Sequence, residues 1–393
     1  MDRYALKRAV LALALFVVAA LTISGRFGNT ARADGPSQQQ QQANAQPAAM
    51  AQPEDKPVEQ THKNIQALKG LPDSQLIPVM QLFSAALGVK CDACHVRTPD
   101  NKFEFDKDDK KAKQTARKMI QMTIDINKAN FEGRNEVSCF ACHRGGEHPV
   151  AVPPLPLPVE TRAEGPAPQQ PMPVPQQIVA KYVQAVGGRE AAQKIKSRVI
   201  KGSIVIADGT SLPMELTYEG PDRMRSVVTT KQGESVQAFD GAAGWIKTDR
   251  ETRPLNPYEL DRLKTLALSL EPIQIKEPLP RILYGGKEKI GEHEAYRLRM
   301  TTPDKKRVVF YFDTQSGLLL RRLILRDTIV GADPELVDYD DYRDVEGVKL
   351  PFSIKVSYTS NNISGTRKIA DLKTNVPVDA SKFAIPRLGS GSR

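Results

Sequence analysis

Cys91-Asp92-Ala93-Cys94-His95 recurs about 48 residues later as Cys139-Phe140-Ala141-Cys142-His143. Two thiols three residues apart, followed at once by histidine, are what covalent c-type haem attachment demands. The sulfurs form thioethers with the haem vinyl groups and the adjacent imidazole is held under the iron. Three other readings compete. A thioredoxin-like pair needs one Cys-x-x-Cys beside a βαβ pattern, which neither copy has. A zinc site could draw on the same thiolates and imidazoles, and plain disulfides suit an exported chain. The chain has only four cysteines, all in these motifs, and two of its five histidines stand at the required position. That economy favours two covalently bound haem c groups, with Cys91, Cys94, Cys139 and Cys142 as attachment points and His95 and His143 as proximal ligands.

Upstream of each motif the pattern is helical. Asp73 can cap a helix with Leu76, Ile77, Met80, Phe83 and Leu87 at apolar positions, Pro78 near its start and Gly88 at its end. A second helix is expected over about 110–130, with Ala112, Ala116, Met119, Ile120, Thr123 and Ile126 as its less polar face. An iron held by one histidine has a further position to fill. Met80, 11 residues before Cys91, could supply a thioether that raises the reduction potential, although methionine on a helix is more commonly a core residue. For the second iron the methionine candidates are Met119 and Met122, 20 and 17 residues before Cys139. His62 could fold back, His148 stands too close to His143 to reach the opposite face, and His293 reads as an exposed loop residue.

Outward from this segment the chain of 393 residues, 40% apolar and 26% charged, fits a globular protein of two or three domains. Ala9–Ile23 is apolar, short of the ~20 residues a spanning helix needs. Preceded by Arg3, Lys7 and Arg8 and followed by Ala31-Arg32-Ala33, it reads as a signal peptide over 1–33, with an uncleaved membrane tether as the other reading. No cysteine follows closely enough for lipoprotein attachment. Removing 1–33 takes a net charge of +4 with it, so +10 falls to +6, and haem propionates would lower it further. No basic stripe with interleaved aromatics points to nucleic acid. Residues 34–59 are a Gln-, Ala- and Pro-rich tether, and 149–176 are a proline-crowded, semi-rigid linker between domains.

The remainder, 177–386, is β-rich, and 387–393 read as a disordered tail. A short amphipathic helix (Ile178, Val179, Tyr182, Val183, Val186) stops at Gly187-Gly188. Strand-like runs follow at Arg198–Ala207, Met214–Tyr218, Met224–Thr230, Ala295–Met300, Val308–Asp313, Leu318–Leu325 and Phe352–Tyr358, broken by a helix near Tyr258–Leu270. Tight turns between them imply an antiparallel sheet. No nucleophile–base pair stands out, and Asp340-Asp341 reads as a solvated acidic turn.

Two family resemblances sharpen this. Asn64-Ile65-Gln66 with Leu68, Met80, Ala116 to Met122, Ile126-Asn127 and Cys139 to Gly145 resemble the cytochrome c subunit of photosynthetic reaction centres, over residues 62–149. In that family a methionine on the helix before each motif ligates most of the haems. The resemblance implies Met80 for the first haem and Met119, with Met122 as the lesser choice, for the second. The chain departs from the photosynthetic subunits in carrying two motifs where they carry four, as shorter dihaem relatives do. Tyr182 to Gly188, Ala238 to Gly241 with Gly244-Trp245, Phe312-Asp313, and Asp341 to Pro351 resemble the open half-barrel of outer-membrane lipoprotein carriers, over 178–386.

The expected architecture is multidomain α+β: a helical dihaem cytochrome domain over 60–148, the Pro-rich linker, and an antiparallel β half-barrel with helices over 177–386. The expected function is periplasmic electron transfer between redox protein partners, without catalysis, the β domain docking a partner, a lipid or a membrane. A peroxidase-like haem enzyme with an open iron position and a redox-sensing module that binds a lipophilic ligand are the alternatives.

Overall fold

A computed structural model describes residues 53–153, 173–220, 222–275, 281–360 and 364–386. The expected signal peptide, the terminal tail and most of the tether and of the Pro-rich linker lie outside the described residues.

The N-terminal part is a loose set of helices. A single turn, α1 (Val58–Thr61), precedes a 3-10 turn at Asp73–Gln75 that leads into α2 (Leu76–Leu87). Asp73 does not cap α2. Its carboxylate accepts from the Thr61 hydroxyl (2.6 Å) and pairs with His62 (2.8 Å). The 3-10 lead-in accommodates Pro78 within the first turn of α2, where its missing N–H goes unnoticed. Gly88 ends α2 in the left-handed conformation, φ 66°, as the glycine there suggests. The first motif and a two-residue hairpin, β1 (Val96–Arg97) and β2 (Phe103–Glu104), follow, then α3 (Lys111–Asn130) and α4 (Cys139–His143).

The core of this part is small. Val58, Leu68, Leu71, Leu76, Val79 and Ile120 are its own buried apolar side chains, and Val330 joins them from far down the chain. α3 contributes through a stripe of Lys113, Ile120, Thr123 and Asn127, spaced seven, three and four residues apart along one helix face. Met119 and Met122 lie beside that stripe and stay 38% and 44% exposed. The expected less polar face is therefore only half used.

After α5 (Pro175–Ala185) and α6 (Arg189–Lys194) the chain builds a sheet of thirteen antiparallel strands that does not close. β3 (Ser197–Ile206), β4 (Ser211–Glu219), β5 (Arg223–Thr230), β6 (Gly233–Phe239), β7 (Gly244–Lys247) and β8 (Thr252–Pro254) step outward to one edge. α7 (Pro257–Ser269) crosses back, its start fixed by a capping box in which Asn256 and Glu259 bond each other's backbone N–H. From the other edge β9 (Ile282–Ile290), β10 (His293–Thr301), β11 (Arg307–Asp313), β12 (Leu319–Thr328), β13 (Gly331–Val345), β14 (Val348–Ser357) and β15 (Gly365–Thr374) return until β15 pairs with β3. Asp340-Asp341 does not form a turn. Both lie within β13, with Asp341 bulged at φ 53° and paired with Arg343.

One face of the sheet is filled by α5 and α7: Ile178, Val179 and Tyr182 from the first, and Leu260, Leu263 and Ala267 from the second, pack on Leu216, Phe312, Val337 and Ile354. Between them runs a buried polar network. Arg322 donates to Gln274 (2.9 Å) and to the Thr265 carbonyl (3.1 Å), and Tyr182 donates to the Pro272 carbonyl (2.7 Å). Arg326 pairs with Asp261 (2.6 Å) and Glu335 (3.0 Å). The void bounded by Arg198, Ile200, Leu270 and Ile354 measures about 10 Å³, room for about one water and far too little for an acyl chain.

Candidate haem-binding site

At the first motif Cys91–Ala93 form one 3-10 turn, closed by the Cys94 and His95 N–H groups on the Cys91 carbonyl (3.3 and 2.9 Å). The turn leaves Cys91 exposed and Cys94 half-buried, both as free thiols. The β1–β2 hairpin then folds Phe103 and Phe105 under the motif. The Phe105 ring meets the His95 ring edge-on at 5.0 Å and stacks on Phe103 at 5.3 Å. Burial, reinforced by the Lys113 ammonium, pushes the His95 pKa down and favours the neutral imidazole. Its Nδ1 is buried without a hydrogen-bond partner.

The loop around this motif is fixed by cations from α3 and its approach. Lys110 donates to the Asp92 carbonyl inside the motif. Lys113, almost fully buried, donates to the carbonyls of Phe105 (2.8 Å) and Lys107 (2.6 Å) and pairs with Asp108 (3.0 Å). Arg117 closes the group through Asp108 (2.8 Å) and the Asn64 carbonyl (3.1 Å). Arg117 foremost, then Asn64 and Lys113, hold the Asp108 carboxyl well below the usual carboxylate range. A depressed carboxylate contributes stability that is present above its unfolded pKa and lost as pH falls towards its folded one. An Asp108→Asn variant is therefore expected to lose less stability than the parent between about pH 4 and pH 2. Thermal melts across that range check it, and equal acid slopes for the two proteins would refute the linkage.

At the second motif the spacing is helical, since Cys139–His143 is itself a short helix. Arg144 and Gly145 leave it at φ 52° and 87°, which turns the chain back so that the Gly146 carbonyl meets His143 Nδ1 at 3.2 Å. A carbonyl only accepts, so Nδ1 carries the hydrogen and Nε2 keeps its lone pair. The return loop also locks onto α2: the Gly145 N–H donates to the Ala86 carbonyl (2.9 Å), and a Cβ on Gly88 would stand 2.2 Å from the Gly145 oxygen. Only glycine at 88 permits that approach. Asn127 of α3 holds the entry, donating to the Val137 carbonyl (2.7 Å) and accepting from the Val137 N–H (2.9 Å).

These donors fit two c-type haems. Each motif offers two unpaired thiols and one imidazole nitrogen free to bind iron. Phe105, Phe140, Met119 and Met122 hold apolar surface out to solvent around them, surface that a porphyrin face would cover. Burial raises the Cys94 and Cys139 thiol pKa values, the opposite of a thioredoxin-like nucleophile. Among the described residues no three His, Cys, Asp or Glu side chains converge on a metal-sized site.

Residues 26–180 match the photosynthetic reaction centre cytochrome C subunit family. The match to this cytochrome family spans both motifs and every helix that supports them. No curated protein matches the chain. Similar solved structures, over the C-terminal part, include a LolA superfamily protein from Nitrosomonas europaea (12% identity, TM-score 0.37, 53% of this chain and 96% of that one). A DUF1329 family protein from Desulfovibrio piger is similar at 11% identity and TM-score 0.37, again over 53% of this chain and 96% of its own.

Of the sixth-ligand candidates, Met80 lies half-buried on α2 beside the small core, while Met119 and Met122 stand on the open side of α3. Met122 borders a shallow hollow with Lys118, Gln121 and Ile126. His62 is engaged with Asp73, His148 is exposed, and His293 sits at the start of β10 against Asp313 (2.8 Å). Sequence reading missed Lys113 and Asn127, whose polarity disguised them as solvent-facing. It also missed the β12–β13 hairpin tip, whose only signal was an apolar pair, Ile329-Val330, where a turn is usually polar.

Proposed function

We propose that this protein is an exported dihaem c-type cytochrome that carries single electrons between redox partners in the periplasm. The observation that carries the reading is the duplicated Cys-x-x-Cys-His, each copy with two free thiols and an imidazole that keeps a nitrogen for iron. Bound haem would supply a reversible one-electron iron couple. Cys91, Cys94, Cys139 and Cys142 would anchor it, and His95 and His143 would ligate from one side. Met80 would take the sixth position at the first site and Met119, or Met122, at the second. The residues around the first site buttress that imidazole, through Phe105 on its edge and Lys113 on the backbone beneath.

The sheet acts as a scaffold and docking body. Its helix-packed interior supports that role over transport of an acyl chain, and lipid co-purifying with the full chain would overturn it. His62, tied to Asp73, offers little to a peroxidase-like site. Absorption and magnetic circular dichroism on the matured protein test the whole reading: two haems with low-spin, methionine-ligated iron are expected, and a colourless protein with the mass of its amino acids alone would end it. Met80→Ala is expected to lower the potential of one couple and let carbon monoxide bind the reduced form rapidly. An unchanged potential and no carbon monoxide binding would remove Met80 from the iron.

A further inference from the structure

Hairpin tips normally face water and carry polar turn residues. The tip joining β12 to β13 is the apolar pair Ile329-Val330, of which only Ile329 is exposed. Val330 is 1% exposed and packs in the helical core with Leu71, Leu76 and Val79. The turn is braced internally, the Thr328 hydroxyl donating to the Gly331 carbonyl (2.7 Å) and accepting from the Val330 N–H (3.3 Å). The Thr328 carbonyl accepts from Asn135 Nδ2 (2.6 Å) across 193 residues of sequence. Gly331, at φ 141°, lies so close that an added Cβ would stand 3.1 Å from Ser138 Cβ and 3.7 Å from Leu82.

These contacts converge on one segment. Asn135 and Ser138 belong to the strip that runs directly into Cys139, and Asn127 grips Val137 of the same strip from the other side. The first motif is held instead by its own neighbours, Phe105, Lys110 and Lys113.

We propose that the tip Thr328–Gly331 is a positioning element of the second haem site: the sheet reaches across and fixes the approach to Cys139. The inference rests on the reading that Cys139–His143 carries a haem. A fixed approach holds Cys139 and His143 in one arrangement and limits how much water would reach a haem bound there. Loosening it admits water, and solvent access lowers the potential of a haem.

The experiment uses the full chain matured with its haems, in three variants: Val330→Ser, Gly331→Ala, and Asn135→Ala, which removes one hydrogen bond and spares the core. Spectroelectrochemical titration is expected to show one couple moving to lower potential, by about tenfold in its equilibrium or about 59 mV for one electron, and the other staying in place. In a Cys91→Ser, Cys94→Ser background only the second site remains, and its single couple should move by the same amount. Both couples unmoved in all three variants, or both moving together, would overturn the proposal. A parent protein without haem would instead refute the cytochrome reading.

Discussion

Replacing Cys139 and Cys142 together by serine will leave a protein that carries one haem, not two, with the first site spectrally intact. The second motif has no other thiol within the chain to call on, because all four cysteines are spent in the two motifs. The first site should survive because its supports are local: the β1–β2 hairpin, the Phe103–Phe105 stack and the cations at 110 and 113 owe nothing to α4. Intact mass after denaturation reads the outcome directly, since thioether-bound haem stays with the polypeptide. The reciprocal Cys91→Ser, Cys94→Ser variant should also keep one haem. Unaltered mass deficits in both, or loss of both haems in each, would show that the motifs are not independent attachment sites.

Arg326→Met is expected to destabilise the sheet by about 3–5 kcal/mol, the usual cost of removing one partner from a buried ion pair. Arg326 is 7% exposed, and its guanidinium lies between Asp261 of α7 and Glu335 of β13. Glu335 is 2% exposed, so without the arginine its charge has no water to turn to. Pairing the change with Glu335→Leu should recover part of the loss, because the buried carboxylate leaves together with its arginine while Asp261 keeps Lys306. Denaturant midpoints of the two variants and the parent measure this. A single variant within about 1 kcal/mol of the parent would mean that water or another group already serves Glu335.

The motifs and the helices before them were legible because their signals are local: residue type at fixed spacing, and apolar periodicity ended by Gly88 or by Gly187-Gly188. α7 was found to within a residue, and β3, β5 and β11 nearly so. β13 escaped because Asp333, Glu335, Asp338, Asp340 and Asp341 look like a solvated surface run. In the fold several of them are matched, Asp338 to Arg321 (2.5 Å), Glu335 to Arg326 (3.0 Å) and Asp333 to Tyr258. A one-dimensional reading sees a charge and not its partner. The same blindness hid Lys113, whose three oxygen partners come from a loop that carries no pattern. The role of the hairpin tip was the least legible, since a valine in a turn announces burial but not against what.

That reach of 193 residues between Asn135 and Thr328 sets an order of events during biogenesis. The helical segment is synthesised first, yet its core lacks Val330 until ten of the thirteen strands have followed. Contacts so distant in sequence form late, because the loop they close must be ordered first. The second cysteine pair would thus stay open to haem attachment until the hairpin tip arrives and closes the approach to it. Nascent chains ending before residue 328 should then remain readily cleaved by protease near the second motif, and early protection there would contradict this sequence of steps.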